Sequence, residues 1–186
     1  MKQKEMAYSR LVRMFATPPA FPLSEREMSV LNGTERFSVR FDDWELPCYG
    51  WGEGRTVLLC HGWGSRAGHL TLLAGALARA GFRAVAFDAP AHYSLPAERK
   101  KEYSNMLEFG RAIHLVAGSL GGLYGLFGHS LGAIASLFAM AAFPLMEEYS
   151  FSCPKLVLAS KQVFAETIDF LKSQVEADPR GRIIRT

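Results

Sequence analysis

The 186-residue sequence has few cysteines, little excess charge and no apolar run that approaches the thickness of a bilayer. A membrane-spanning helix needs about 20 predominantly apolar residues in succession. Residues 1–13 contain basic side chains but no apolar stretch of the kind found in a signal peptide. We therefore expect a cytoplasmic protein with no membrane partner.

The three cysteines, Cys48, Cys60 and Cys153, form no closely spaced pair. Their number and spacing argue against a disulfide framework and against a C-x-x-C zinc site, so buried, reduced thiols are predicted. The net charge is only +3, and the one basic run, Arg99-Lys100-Lys101, is typical of a solvated loop. We expect no nucleic-acid partner. Because no metal site or nucleotide-binding glycine pattern is visible, we also expect no metal and no cofactor.

Apolar residues make up 49% of the chain, which is enough for one hydrophobic core. Residues 1–29 are polar and are interrupted by Pro18, Pro19 and Pro22. This composition indicates an N-terminal arm with a short helix over Met6–Phe15. The remainder, residues 30–186, is predicted to form a single domain.

Strand and helix patterns alternate through that domain. The predicted strands are Phe37–Phe41, Glu45–Trp51, Thr56–Cys60, Phe82–Phe87, Leu123–Phe127 and Lys155–Ala159, and the predicted helices are Leu70–Ala80, Tyr103–Leu120, Ser130–Phe143 and Val163–Glu176. From Thr56 onward the strands are continuous apolar runs, as expected for strands covered on both faces. The pattern predicts an α/β fold with a mostly parallel sheet and helices on both faces.

One glycine-flanked serine lies between a buried strand and a helix, in the sequence Gly128-His129-Ser130-Leu131-Gly132. Glycines at both ends let the backbone turn sharply, which would expose the Ser130 hydroxyl above the carboxyl edge of the sheet. The first turn of the following helix would direct free N–H groups at developing negative charge. Ser130 is therefore the candidate nucleophile. The alternative interpretation is a glycine-rich turn that carries an idle serine.

A second short motif, His61-Gly62-Trp63-Gly64, directly follows another buried strand. Acyl transfer requires stabilisation of an oxyanion, and two backbone N–H groups usually provide it. Leu131 supplies one such group because it follows the candidate nucleophile, and Trp63 is predicted to supply the other. The alternative is a tight glycine turn with a packed tryptophan.

Three segments, Thr56–Gly64, Phe82–His92 and Leu126–Gly132, together resemble successive signatures of the alpha/beta hydrolase superfamily. The resemblance covers about residues 37–160 and is nearest to bacterial serine-aminopeptidase-like (lysophospholipase-like) hydrolases. It implies hydrolysis of an ester, thioester or amide through an acyl-enzyme at Ser130. It also implies a structural role for Asp88. The family commonly has Gly-His-Gly after the proline of the Asp88 motif, whereas this chain has Ala91-His92-Tyr93.

The sequence lacks a histidine at the position where this fold supplies its general base. In the family the chain order is serine, acid, histidine, but His61, His69, His92, His114 and His129 all precede Ser130. His92 is the best substitute base, because its loop should reach the same edge of the sheet. His61 and His129 are predicted to pack or to donate hydrogen bonds. No acid of a triad can be assigned.

The resemblance implies that residues 161–186 begin a cap-like helical segment, and that the chain is truncated before the last strands, the acid and the histidine. An outer sheet edge left unpaired in this way would favour association with a second copy of the chain. Two functions stay open. One is a serine hydrolase with a small acyl substrate. The other is a catalytically impaired or non-catalytic relative that binds a small acyl ligand or a partner.

Overall fold

The computed structural model describes residues 12–93, 101–142 and the backbone of 155–158. The elements in chain order are α1 (Glu25–Asn32), β1 (Glu35–Phe41), β2 (Trp44–Trp51), β3 (Arg55–Cys60), a 3-10 helix (Ala67–Leu70), α2 (Thr71–Arg79), β4 (Phe82–Phe87), α3 (Met106–Ser119), β5 (Gly125–Gly128), α4 (Leu131–Ala142) and β6 (Lys155–Leu158). The predicted helix Val163–Glu176 lies outside the described residues.

The six strands form one mixed, mostly parallel sheet with the order β1-β2-β4-β3-β5-β6. Strands β4, β3, β5 and β6 are parallel. Strands β1 and β2 form an antiparallel hairpin, and β2 also pairs antiparallel with β4. The predicted α/β class with a mostly parallel sheet is confirmed. The association of copies through a sheet edge stays a prediction.

Both faces of the sheet are covered by helices, as the continuous apolar runs predicted. Along β3, Leu58 and Cys60 face one core cluster, which also holds Phe109 of α3 and Ala135 of α4. The alternate residues of β3 face a second cluster, which includes side chains of α1 and α2. Because the strands are buried on both faces, their sequences show no alternation of polar and apolar residues.

Helix α1 includes residues 29 and 30, between which the sequence predicts the boundary of arm and domain. Ser24 caps α1: its side chain accepts from the Glu27 N–H, and the Glu27 carboxylate accepts from the Ser24 N–H. This S-x-x-E capping box is a helix start that can be recognised in the sequence, but no helix was predicted at Glu25–Asn32. Residues 12–16 are also helical, whereas the rest of the predicted helix Met6–Phe15 lies outside the described residues.

Two other helix boundaries differ from the predictions for local reasons. Of the predicted helix Leu70–Ala80, Leu70 is the last residue of the 3-10 helix, and Thr71–Arg79 form α2. Helix α3 begins at Met106 rather than at Tyr103, because the Asn105 side chain accepts from the Glu108 N–H and caps the first turn. Among the described residues, no helix combines the length and the apolar character that crossing a membrane requires.

Candidate active site

Ser130 lies in the turn between the end of β5 and the start of α4. Its φ of +52° is in the left-handed region, which a residue with a Cβ rarely adopts, and its side chain is exposed. The Gly132 N–H donates to the His129 carbonyl over 2.9 Å, and the Ala133 N–H donates to the Ser130 carbonyl over 3.0 Å. The structure therefore contains the sharp, strained turn that the glycine pattern predicts. The role of Ser130 as nucleophile stays a prediction.

The two glycines of this turn lie where no larger residue fits. A Cβ at Gly128 would approach the Ala133 Cα to 2.5 Å. A Cβ at Gly132 would approach the carbonyl oxygen of His61 to 2.3 Å. Both obstacles are backbone atoms, so no rotamer change can relieve them. Glycine is therefore required at both positions for this turn to form.

The loop after β3 lies directly against Ser130. A Cβ added to Gly62 would be 3.0 Å from the Ser130 Cβ, and the Ser65 N–H donates to the Gly62 carbonyl over 3.1 Å to close a turn. Within the described parts of the chain, the backbone N–H groups of Trp63 and Leu131 have no hydrogen-bond partner. The geometry thus brings together Ser130 and both residues predicted to form an oxyanion hole, although that role stays a prediction.

His61 is a buried structural residue, as predicted. Its Nε2 accepts from the Ala89 N–H over 3.0 Å, so the proton lies on Nδ1, which donates to the Gly62 carbonyl over 2.7 Å. Burial, followed by the nearby His92, lowers the pKa of His61 to about 3. A neutral imidazole therefore links the loop that carries Trp63 to the loop after β4.

His92, like His61, is a buried histidine that links neighbouring loops. This geometry argues against the prediction that His92 is a substitute base. Its Nε2 accepts from the Gly64 N–H over 3.1 Å, and its Nδ1 donates to the Pro90 carbonyl over 2.9 Å. Both ring nitrogens are therefore occupied by backbone groups. Burial lowers the pKa of His92 to about 4, which makes its lone pair a weak base. Its ring packs edge-on against Trp63 with 5.1 Å between the ring centroids.

Asp88 is fully buried at the end of β4 and holds the neighbouring loops together. Its Oδ1 accepts from the Ala67 N–H over 2.8 Å, and its Oδ2 accepts from the Tyr49 hydroxyl over 3.3 Å. These contacts agree with the structural role that the resemblance implied. The Tyr93 hydroxyl accepts from the Lys101 N–H over 2.8 Å.

Ala91 has a left-handed backbone conformation, which favours glycine. Its φ is +67°, which costs a residue with a Cβ about 1 kcal/mol or more. The loop after β4 is therefore strained at Ala91.

Ala91→Gly is expected to raise the free energy of unfolding by about 0.5 kcal/mol, because the relief of strain exceeds the added entropy of the unfolded chain. Urea unfolding checks the sign and the size of this change. Ala89→Gly in the same loop is the control. Ala89 is buried and has no positive φ, so this variant should lose stability. Loss of stability in both variants would contradict the assignment of strain to Ala91.

An open, mainly apolar cleft of about 570 Å³ adjoins the two predicted oxyanion residues. It is lined by residues of the N-terminal segment, the loop after β3, the start of α3 with the two residues before it, and the start of α4. These residues are Val12, Phe15, Ala16, Trp63, Ser104, Asn105, Met106 and Leu131. The Ser104 hydroxyl is buried without a hydrogen-bond partner among the described residues, and the Asn105 side chain caps α3. Val12, Phe15 and Ala16 were not predicted to belong to the site, because the composition of residues 1–29 indicates a polar arm.

The part of the chain that the structure describes places no base in contact with the Ser130 hydroxyl. Across residues 12–93 and 101–142, no side chain forms a hydrogen bond with the Ser130 hydroxyl, and no three His, Cys, Asp or Glu side chains are close enough to hold a metal ion. Cys48 and Cys60 are buried and unpaired, and burial raises the pKa of Cys60 to about 12.

Comparisons with known proteins identify the fold. The sequence model of the alpha/beta hydrolase family matches residues 57–184. A thioesterase domain from the curacin biosynthetic pathway is 25% identical with a TM-score of 0.54, over 80% of this chain and 63% of its own. An epoxide hydrolase from Vigna radiata is 23% identical with a TM-score of 0.56, over 70% of this chain and 41% of its own.

A membrane phospholipase A described as a bacterial virulence factor is 23% identical with a TM-score of 0.54, over 73% of this chain and 43% of its own. The chain therefore spans between 41% and 63% of the length of these three proteins. The two likenesses at 23% identity concern the fold alone. No curated protein matches the sequence.

Proposed function

Because the chain belongs to the alpha/beta hydrolase family, we propose that it is a hydrolase that cleaves an ester, thioester or amide through an acyl-enzyme at Ser130. The observation that carries this proposal is the position of an exposed, strained serine beside two backbone N–H groups that have no partner among the described residues. Such groups stabilise the oxyanion of a tetrahedral intermediate. The likeness to a thioesterase domain supports a thioester among the candidate substrates.

In the proposed reaction, the Ser130 Oγ forms a bond to the acyl carbon, and the bond from that carbon to the alcohol, thiol or amine breaks. Water then hydrolyses the acyl-serine ester and releases the acid. The serine proton passes to solvent and solvent returns a proton to the departing group, because no described side chain forms a hydrogen bond with the Ser130 hydroxyl. We therefore expect slow turnover. Enzymes that have lost their triad retain roughly 10³–10⁴-fold acceleration over water from oxyanion stabilisation and binding alone.

Among the described residues Ser130 has no hydrogen-bonded base, which also favours a second candidate, a protein that binds a small acyl ligand without turning it over. His61 and His92, the buried histidines nearest the turn, both use their ring nitrogens to bind backbone groups. The same cleft and the same N–H groups would hold a ligand in this case. The two candidates differ in the reactivity of Ser130.

A fluorophosphonate probe tests the proposal, because its phosphorus forms a bond to a nucleophilic serine while fluoride leaves. Wild-type protein should be labelled slowly, and Ser130→Ala should not be labelled at all. Ser119→Ala is the matched control, since Ser119 is an exposed serine at the end of α3, and it should label like the wild type.

Labelling that persists in Ser130→Ala would place the nucleophile elsewhere. Folded wild-type protein that takes up no probe would support the binding alternative. Circular dichroism of each variant establishes that the protein examined is folded.

A further inference from the structure

We propose that the cleft beside Ser130 binds the hydrocarbon chain of the acyl group, and that residues 12–16 form one wall of this acyl subsite. This inference rests on the proposed function, because it takes Ser130 as the acyl acceptor. It assigns a binding role to a segment outside the alternating strands and helices of the domain.

The position of the cleft indicates what part of a substrate enters it. Trp63 and Leu131 line the cleft and also carry the two N–H groups that have no partner among the described residues. An acyl carbonyl oxygen held by these groups would bring the rest of the acyl group to the mouth of the cleft. The leaving group would extend away from it toward solvent.

The chemistry of the cleft favours an apolar chain. Its accessible lining is mainly apolar, and its volume of about 570 Å³ is within the range of about 300–1,000 Å³ that small-molecule sites occupy. Phe15 is 71% exposed and Val12 is 47% exposed, which is unusual for two large apolar side chains in one short segment. A hydrocarbon chain in the cleft would cover part of both.

The wall formed by residues 12–16 is attached to the domain at Ala16 and through the residues that follow it. The Ser104 N–H, directly before α3, donates to the Ala16 carbonyl over 2.8 Å. Further along the segment, the Arg66 guanidinium donates to the carbonyl oxygens of Phe21 and Pro22 over 2.6 and 2.9 Å. The segment is therefore positioned by hydrogen bonds that do not depend on a bound ligand.

Binding of decanoate and butanoate to the full-length Ser130→Ala variant tests the subsite without requiring any reaction. Each buried methylene strengthens binding by about threefold. Titration calorimetry below the critical micelle concentration should show decanoate binding at least about tenfold more tightly than butanoate, even if only some of its methylenes are buried. Equal affinities, or binding of neither acid, would overturn the proposal.

A matched pair of substitutions in the wall locates the bound chain. In the Ser130→Ala background, Phe15→Ser should weaken decanoate binding by about fivefold or more, because it removes apolar surface from the lining. Met14→Ser is the control, since Met14 is 64% exposed in the same segment but does not line the cleft. Both positions are exposed, so both variants should fold. An equal effect of the two substitutions would contradict the assigned wall.

The test of the acyl subsite can succeed or fail independently of the test of the proposed function. Preferential binding of decanoate without fluorophosphonate labelling of the wild type would support the subsite and reject the nucleophile. Labelling of Ser130 without a preference for decanoate would support the nucleophile and reject the subsite.

Discussion

Gly132→Ala is expected to lower the free energy of unfolding by about 4 kcal/mol, the largest loss that we predict for a single added methyl group. The new Cβ would lie 2.3 Å from the His61 carbonyl oxygen and 2.6 Å from that of Cys60. Overpacking usually costs 1–3 kcal/mol when side chains can rearrange. Here the obstacles belong to the backbone at the end of β3, so whole elements must move apart.

The displacement would also separate the two halves of the candidate site. β3 and β5 pair through Cys60 and Gly128, and the His129 N–H donates to the Cys60 carbonyl over 2.9 Å. A methyl group at position 132 would push the first turn of α4 away from β3. Ser130 and Leu131 would move with that turn, whereas Trp63 would stay with the loop after β3. Fluorophosphonate labelling of any folded fraction should therefore decrease as well.

Urea unfolding of Gly132→Ala and Gly118→Ala provides the measurement and its control. Gly118 lies in α3, and an added Cβ there meets no heavy atom within 4 Å. Gly118→Ala should therefore stabilise the protein by about 0.5 kcal/mol, because alanine costs less entropy in a helix. If Gly132→Ala stayed within about 1 kcal/mol of the wild type, the close contact between α4 and β3 would not exist in solution.

The candidate site was predictable from the sequence where its determinants are local. The strand before Gly128, the glycine spacing around Ser130 and the apolar start of α4 together predict the sharp turn, and the structure contains it. The loop at His61 was predictable for the same reason, because it directly follows a strand. In each case a few adjacent residues dictate the backbone path.

The roles of the histidines could not be derived in this way, because they depend on contacts between distant segments. The ring of His92 accepts from Gly64, and that of His61 accepts from Ala89, in both cases 28 residues away. Only the packed sheet brings these loops together. The wall of the cleft is a similar case, because residues 12–16 acquire their position from Ser104 and Arg66, which the sequence pattern does not connect to them.

Arg66→Met is expected to lower the free energy of unfolding by about 3 kcal/mol, because it removes the ion-pair partner of the partly buried Glu27 carboxylate and the donor to two backbone carbonyls. The Arg66 side chain is only 6% exposed, and its Nη2 lies 3.2 Å from the Glu27 Oε2. The same guanidinium donates to Phe21 and Pro22. Methionine retains most of the volume of the arginine side chain. The loss of unfolding free energy therefore measures the polar contacts of Arg66 rather than the cost of a cavity.

Arg83→Met is the matched control for this substitution. Arg83 forms an ion pair with Glu35 at 3.0 Å, but the two side chains are 26% and 54% exposed. Ion pairs with that much solvent contact contribute about 0–1 kcal/mol. Similar losses in the two variants would show that Arg66 contributes no more than a surface ion pair. The decanoate affinity should fall in Arg66→Met alone, because only this variant releases the segment that leads to the cleft.

The pH dependence of the stability lost in Arg66→Met tests whether Glu27 is the partner through which Arg66 stabilises the protein. Burial alone would raise the pKa of Glu27, but hydrogen bonds from Ser24 and Arg66, together with the charge of Arg66, outweigh burial and lower this pKa to about 2. A carboxyl group with a lowered pKa in the folded state contributes stability above its unfolded pKa of about 4.5, and loses it as the pH falls toward 2. The difference in unfolding free energy between wild type and Arg66→Met should therefore be constant near neutral pH and should narrow below about pH 4.5. A difference that does not change between pH 7 and pH 3 would assign the stabilisation to the hydrogen bonds from Arg66 to the Phe21 and Pro22 carbonyls rather than to Glu27.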